Sequence, residues 1–213
     1  MFKYILFDFD GTLIDTNELI ILTLKETAKK FINRDLSPDD LNSILGRHLE
    51  EQMKCISPVF WEDMMLFYKT YYKANKDRMI KEFPGIREML SQIKAIGCKT
   101  AIVSAKGRSG IEHGLDCFKL SEYIDVIVSA YDIQNNKPHP EPALKALELL
   151  CGVKEQSLLI GDSPYDILCG QNAGIKTVLV DWTIFPKNEI CRLKPDFIIK
   201  EPTDLCKIIA SQK

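Results

Sequence analysis

At 213 residues the chain has room for one large domain, or for one domain carrying a smaller insertion. A hydrophobic share of 46% and a charged share of 27% are those of an ordinary globular protein. The net charge of -2, from 28 basic and 30 acidic residues, supplies no global field that would favour nucleic acid or an acidic membrane. Apolar runs stop at four or five residues, as from Met64 to Tyr68, far short of a membrane span. Met1-Phe2-Lys3 leads straight into an apolar stretch without the features of a secretory signal, so a cytoplasmic protein is expected. The seven cysteines are scattered and never form a Cys-x-x-Cys pair, which predicts reduced and mostly buried thiols.

In chain order, the first predicted strand covers Tyr4 to Phe9. From about residue 15 to residue 82 only helical patterns occur. Ile20, Leu24, Thr27, Ala28 and Phe31 share one face of a first helix. Ser37-Pro38-Asp39-Asp40 reads as an N-cap, a first-turn proline and an acidic first turn. Leu41, Ile44 and Leu45 follow, with Gly46 as the stop. A third pattern after Ser57-Pro58 runs through Phe60, Met64, Phe67, Tyr68 and Tyr71. Phe83-Pro84-Gly85 then returns the chain to alternating texture. Further strands are predicted at Lys99 to Val103, Ile124 to Ser129, Ser157 to Ile160, Lys176 to Val180 and Asp196 to Ile199, most of them separated by amphipathic stretches. Strands alternating with helices imply an α/β, Rossmann-like parallel sheet covered on both faces. The expected division is a core of residues 1–14 and 83–213 with a helical cap of residues 15–82 inserted after the first strand.

Polar residues gather where these strands end. Asp8 and Asp10, in Phe7-Asp8-Phe9-Asp10-Gly11-Thr12, stand two apart in an extended chain and project together, and Gly11 permits a sharp turn. Val103 runs into Ser104, the strand ending at Ser129 leads to Lys137-Pro138, and Ile160 runs into Gly161-Asp162-Ser163-Pro164-Tyr165-Asp166. In an open parallel sheet ligands bind outside the carboxyl ends of the strands, and all four sites fall on that edge. Paired carboxylates, a hydroxyl, an ammonium and a further acidic pair suit attack on phosphorus with acid/base help and a hard cation. Ala105 and Lys106 can add amide donors ahead of the next helix.

These four motifs, in this order, resemble those of the haloacid dehalogenase-like hydrolase superfamily, and the helical block resembles the cap that this superfamily inserts after its first motif. The resemblance implies a Mg²⁺-dependent phosphatase acting through an aspartyl-phosphate. Asp8 would be the nucleophile, Asp10 the acid/base, Ser104 a phosphate contact and Lys137 the charge clamp. Gly11, Thr12, Ser104, Ala105 and Lys137 would meet the substrate, and Asp8, Asp10, Asp162 and Asp166 would form the metal set. Ser163-x-x-Asp166 is equally a helix-capping pair, so both readings of Asp166 stay open.

The substrate is less legible. Leu13 to Ile21, Trp182-Thr183-Ile184 and Pro195-Asp196-Phe197 resemble phosphoglycolate phosphatases and the bacterial pyrophosphatases that serve HPr kinase/phosphorylase. A small phosphorylated metabolite is therefore expected, with Arg47 either reaching a second anionic group or lying solvated on its turn. Lys69, Lys73 and Lys76 form a basic line that is either a solvated helix face or an attraction for anionic substrate. The alternatives are a β-phosphoglucomutase-like phosphotransferase and a catalytically silent phosphate-binding regulator. Mutases of that branch commonly carry Glu-Asp where this chain has Gly161-Asp162. No nucleic-acid or membrane partner is expected, and the oligomeric state is not encoded legibly.

Overall fold

In the computed structural model, which describes residues 1–210, eight strands and ten α-helices follow one another along the chain. They are β1 (Tyr4–Phe7), β2 (Ile14–Asp15), α1 (Asn17–Ile32), α2 (Pro38–Ile44), α3 (Leu49–Ile56), α4 (Trp61–Met79), β3 (Lys81–Glu82), α5 (Ile86–Ala95), β4 (Lys99–Val103) and α6 (Arg108–Cys117). The remainder are β5 (Val126–Val128), α7 (Glu141–Leu150), β6 (Ser157–Gly161), α8 (Pro164–Ala173), β7 (Lys176–Val180), α9 (Lys187–Arg192), β8 (Phe197–Ile199) and α10 (Asp204–Ala210). Six strands form one sheet in the order β5-β4-β1-β6-β7-β8, and every pairing in it is parallel. The chain builds outward from β1 on one side through β4 and β5, then returns to its other side for β6, β7 and β8. The strand order therefore switches at β1, and the loops after β4, β1 and β6 open into one crevice.

The period-two alternation of the strands decides which helices cover which face. Ile5, Phe7, Ile102, Leu158, Ile160, Val178 and Val180 point to one side and pack with Met89, Leu90 and Ile93 of α5, Ile111 and Leu115 of α6, and Leu205 and Ile209 of α10. Leu6, Ala101, Val103, Val128 and Leu159 point to the other, against Ala143, Ala146 and Leu147 of α7 and Cys169 and Ala173 of α8. Burying each of the larger side chains stabilises the sheet by roughly 1.5–3 kcal/mol.

Helices α1 to α4 have a core of their own, built on Leu24, Ala28, Leu41, Ile44, Met53, Met64 and Tyr68. That core runs on into Ile167, Leu179, Phe185 and Ile190, so the helical layer rests on the β7 side of the sheet. The chain leaves for this layer at β2 and returns at β3, and the two strands pair antiparallel, Ile14 with Glu82 and Asp15 with Lys81. The expected Ser37 cap is present: its hydroxyl accepts from the Asp40 amide, and the Asp40 carboxylate accepts from the Ser37 amide. Helix α3 is an addition to the three helical patterns read from the sequence. The thiols correct another expectation. All seven cysteines are free, but Cys55, Cys117, Cys151 and Cys191 are exposed and only Cys98 and Cys169 are buried. No helix among the described residues is long and apolar enough to cross a membrane.

Candidate active site

Strand β1 ends at Phe7, and the Asp8 amide still donates to the Ile160 carbonyl at 2.8 Å, which fixes Asp8 beside the end of β6. Two residues on, Asp10 bridges to Ile14, and the chain between them turns at Gly11 with φ +77°. Glycine is required there twice over. The backbone is left-handed, and a β-carbon would lie 2.6 Å from Asp162 Oδ2. The turn thus lets the β6 carboxylate close against the β1 loop.

Carboxylate oxygens of Asp8, Asp162 and Asp166 lie within 4.8 Å of one another, all on buried residues. A single ammonium answers them. Lys137 Nζ sits 2.9 Å from Asp8 Oδ1 and 2.5 Å from Asp166 Oδ1, and donates to the Val103 carbonyl at 3.1 Å. Burial pushes the Asp8 carboxyl up to about 7, against the pull of Lys137 and with Asp166 and Asp10 adding to the rise. Asp162 is raised as well, first by burial and then by Asp8 and Asp166. For Lys137 burial works toward the neutral amine, but Asp166 and Asp8 outweigh it and the ammonium is held charged.

Of the two sequence readings of Asp166, the structure shows the helix cap, and it adds an ion pair. One oxygen meets Lys137, while the other accepts from the Ser163 amide at 3.1 Å and the Ser163 hydroxyl at 2.6 Å, capping α8. Ser104 is buried at the end of β4, where its amide donates to the Val128 carbonyl and its hydroxyl accepts from the Lys106 amide at 3.3 Å. Ser104 and Ala105 line the crevice together with Asp8, Asp10, Lys137 and Asp162. Thr12, expected at the substrate, is instead buried behind Asp162, to which its hydroxyl points at 3.4 Å. Neither Thr12 nor Gly11 lines the crevice.

Asp10 stands apart from the three-carboxylate cluster. Its Oδ1 accepts from the Thr16 hydroxyl at 2.7 Å, and Lys106 Nζ lies 2.9 and 3.1 Å from its two oxygens. Lys106 also donates to the Tyr72 hydroxyl of α4 at 2.8 Å. Burial disfavours the Lys106 charge, and Asp10 and Tyr72 reverse that effect. Lys106, read in the sequence for its backbone amide, is therefore the central contact between α4 and Asp10 through its side chain. It stands two residues beyond Ser104, the same offset that separates Asp10 from Asp8, and that was its one legible signal.

The crevice encloses about 610 Å³. Its far wall comes from the helical layer and carries Arg47, His48, Lys69, Lys73 and Lys76. Among the described residues none of Lys69, Lys73 and Lys76 has a carboxylate within 4.0 Å. Arg47 Nε donates to the Ser43 carbonyl at 2.9 Å, which leaves the guanidinium on its turn at the cavity rim. The basic line faces the crevice from the side opposite the carboxylates.

A family model described as haloacid dehalogenase-like hydrolase matches residues 5–180. A protein of Bacillus cereus named pyrophosphatase PpaX is 38% identical over 207 residues, covering 97% of this chain and 96% of its own. A protein of the same name from Bacillus mycoides is 37% identical over 206 residues, with 97% and 96% covered. Among solved structures, one described as a predicted phosphatase from Clostridium acetobutylicum superposes with a TM-score of 0.87 at 25% identity, covering 99% of both chains.

Proposed function

The chain belongs to the haloacid dehalogenase-like hydrolase family, as an enzyme of phosphatase or pyrophosphatase type, and we propose that its substrate is a small phosphorylated metabolite with a second anionic end. Pyrophosphate is the leading candidate and phosphoglycolate the next. Residues 15–82 serve as the cap over the crevice, and the reaction proceeds through a phosphoryl group carried on Asp8. Action on a free metabolite inside the cytoplasm goes with this reading.

The residues fit a hard divalent cation. Three buried carboxylates against one ammonium leave negative charge in excess, and that excess adds to the burial that lifts Asp8 and Asp162 out of the ordinary carboxylate range. Asp8 and Asp162 would hold Mg²⁺ directly, with Asp166 behind them fixing Lys137. Asp10, engaged by Lys106 and Thr16, lies outside that set. When bound, Mg²⁺ supplies positive charge that keeps the carboxylates ionised and offsets the phosphoryl oxygens.

The chain's own residues then account for the steps. An Asp8 oxygen forms a bond to phosphorus while the bond from phosphorus to the leaving oxygen breaks. Ser104 Oγ and the amides beyond it donate to phosphoryl oxygens, and Lys137 balances their charge. In the second half Asp10 takes a proton from water, whose oxygen attacks phosphorus and releases Asp8 and phosphate.

The basic wall of Arg47, Lys69, Lys73 and Lys76 carries the substrate reading, because it offers charge to the end of the substrate that is not transferred. The names of the two Bacillus relatives point the same way. The mutase alternative loses support at Gly161, where a β-carbon would lie 2.2 Å from Asp166 Cγ and a glutamate has no room.

The test is kcat/KM for pyrophosphate, phosphoglycolate and a hexose phosphate, with Mg²⁺ and with excess chelator, in wild type and Asp8→Asn. The expected order is pyrophosphate, then phosphoglycolate, then the hexose phosphate, with turnover lost in chelator and in the variant. A preference for the hexose phosphate overturns the substrate reading, and full activity in chelator overturns the metal.

A further inference from the structure

Away from the crevice, the end of α4 meets α6 through three side chains with no part in the steps above. Asp77 Oδ1 lies 2.7 Å from His113 Nε2, and His113 Nε2 lies 3.3 Å from Cys117 Sγ. His113 and Cys117 are four residues apart on α6 and share one face of it. Asp77 comes from the last turn of α4, so the helical layer and the sheet layer each contribute. Oxygen, nitrogen and sulfur donors thus converge, with all three donor atoms inside 4.8 Å.

We propose that Asp77, His113 and Cys117 form a second metal site, for a borderline-soft divalent ion of the zinc class, that ties α4 to α6. The donor set is the first reason. Thiolate and imidazole select such ions over Mg²⁺, and a carboxylate completes a common trio of zinc ligands. Geometry is the second. Zinc bond lengths of about 2.0–2.3 Å place donors of a tetrahedral ion roughly 3.3–3.6 Å apart. The His113–Cys117 pair already has that spacing, and Asp77 must withdraw by only about half an ångström, a side-chain adjustment. Access is the third. The side chains of His113 and Asp77 are 30% and 69% exposed, and Cys117 is exposed, so an ion can enter and water can take the fourth position.

Binding would exchange protons for the ion. The Cys117 thiol gives up its proton to solvent, and Nε2 of His113 becomes a ligand with the remaining ring proton on Nδ1. The hydrogen bond between Asp77 and His113 is replaced by two bonds to one ion. Because the donors span two layers, the occupied site would restrain α4, the helix that carries Tyr72 and the cavity lysines.

Cobalt(II) is the probe, since a thiolate-to-cobalt charge-transfer band requires a cysteine ligand and the carboxylate cluster cannot produce one. The full chain is titrated with Co²⁺ in excess Mg²⁺, with Zn²⁺ competition as a second arm. One equivalent should generate the band in wild type, and Zn²⁺ should abolish it. The band should disappear in Cys117→Ser and His113→Ala, and Asp77→Asn should weaken Co²⁺ binding about tenfold or more while the fold, read by circular dichroism, is unchanged. Absence of the band in wild type, or its survival in Cys117→Ser, overturns the site. Wild-type affinity in Asp77→Asn overturns the tie between the helices.

Discussion

Gly11 offers a clean separation of backbone strain from disturbance of the site, because Gly97 supplies a matched control. Both residues are left-handed, at φ +77° and +81°. A β-carbon at 97 would meet nothing within 4 Å, whereas one at 11 would come 2.6 Å from Asp162 Oδ2 and 2.9 Å from its Cγ. Gly97→Ala therefore reports the left-handed backbone alone, about 1–2 kcal/mol of destabilisation, reduced by the smaller conformational freedom of the unfolded chain. Gly11→Ala adds the displacement of a buried carboxylate, for a further 1–3 kcal/mol or so by analogy with overpacked cores. Urea melts at pH 7 should place Gly11→Ala roughly 2–4 kcal/mol below wild type and Gly97→Ala about 1 kcal/mol below. Turnover should separate them further. Asp162 displaced by about half an ångström should cost at least tenfold in kcat, while Gly97→Ala keeps wild-type kcat. Equal midpoints for the two variants, with activity retained in both, would refute the close approach of Asp162 to the β1 turn.

Three other outcomes follow from the same geometry. Lys106→Met keeps the stem but leaves the Asp10 carboxylate and the Tyr72 hydroxyl without their shared donor; a loss of about 1–3 kcal/mol and a fall in kcat are expected, and Tyr72→Phe should do less, as measured by urea melts and pyrophosphate turnover. Arg47→Ala should lower kcat/KM for pyrophosphate and phosphoglycolate more than for a hexose phosphate; an equal loss for all three would remove Arg47 from recognition of the second anion. For Asp125, burial works to raise the carboxyl, but Lys94 and the Thr100 amide overcome it and hold it below the ordinary value. That stability is present above the unfolded value of 3.8 and is lost as pH falls through the lower folded value. Asp125→Asn should therefore cost about 1 kcal/mol at pH 7, and the gap should close on acidification below about pH 4. A gap that stays constant with pH would mean that charge plays no part there.

Which features were legible in the sequence follows from how local their causes are. Each β-strand of the large sheet carries its own apolar run and its own polar exit, so Asp8, Ser104, Lys137 and Asp162 could be placed on one edge before any tertiary contact was known. The capping pairs Ser37 with Asp40 and Ser163 with Asp166 were readable because a cap is satisfied within four residues. Helix α3 left no such trace. It spans eight residues, buries only Gln52 and Met53, and its N-cap residue, His48, makes no side-chain capping bond. Strands β2 and β3 have two residues each, too few for any period to show.

The site residues that escaped notice share a different cause: their partners are remote in sequence. Lys106 lies 96 residues from Asp10 and 34 from Tyr72, so only the fold could turn a loop lysine into the counter-charge of the Asp10 carboxylate. Thr12 went the other way, since its motif position suggested substrate while the fold set Asp162 in front of it. The basic line of α4 was ambiguous, and the exposed thiol of Cys117 fell under an expectation of burial, for the same reason. A lysine at a helical spacing has the same pattern whether it faces solvent or a crevice, and a cysteine has the same composition whether it packs or binds. What distinguishes them is the neighbour supplied across the boundary between the helical layer and the sheet. The contacts of Tyr72 with Lys106 and of Asp77 with His113 both cross that boundary from α4. That helix is consequently where a change of substrate preference and a change of metal response should be separable: Tyr72 and the lysines face the crevice, and Asp77 faces α6.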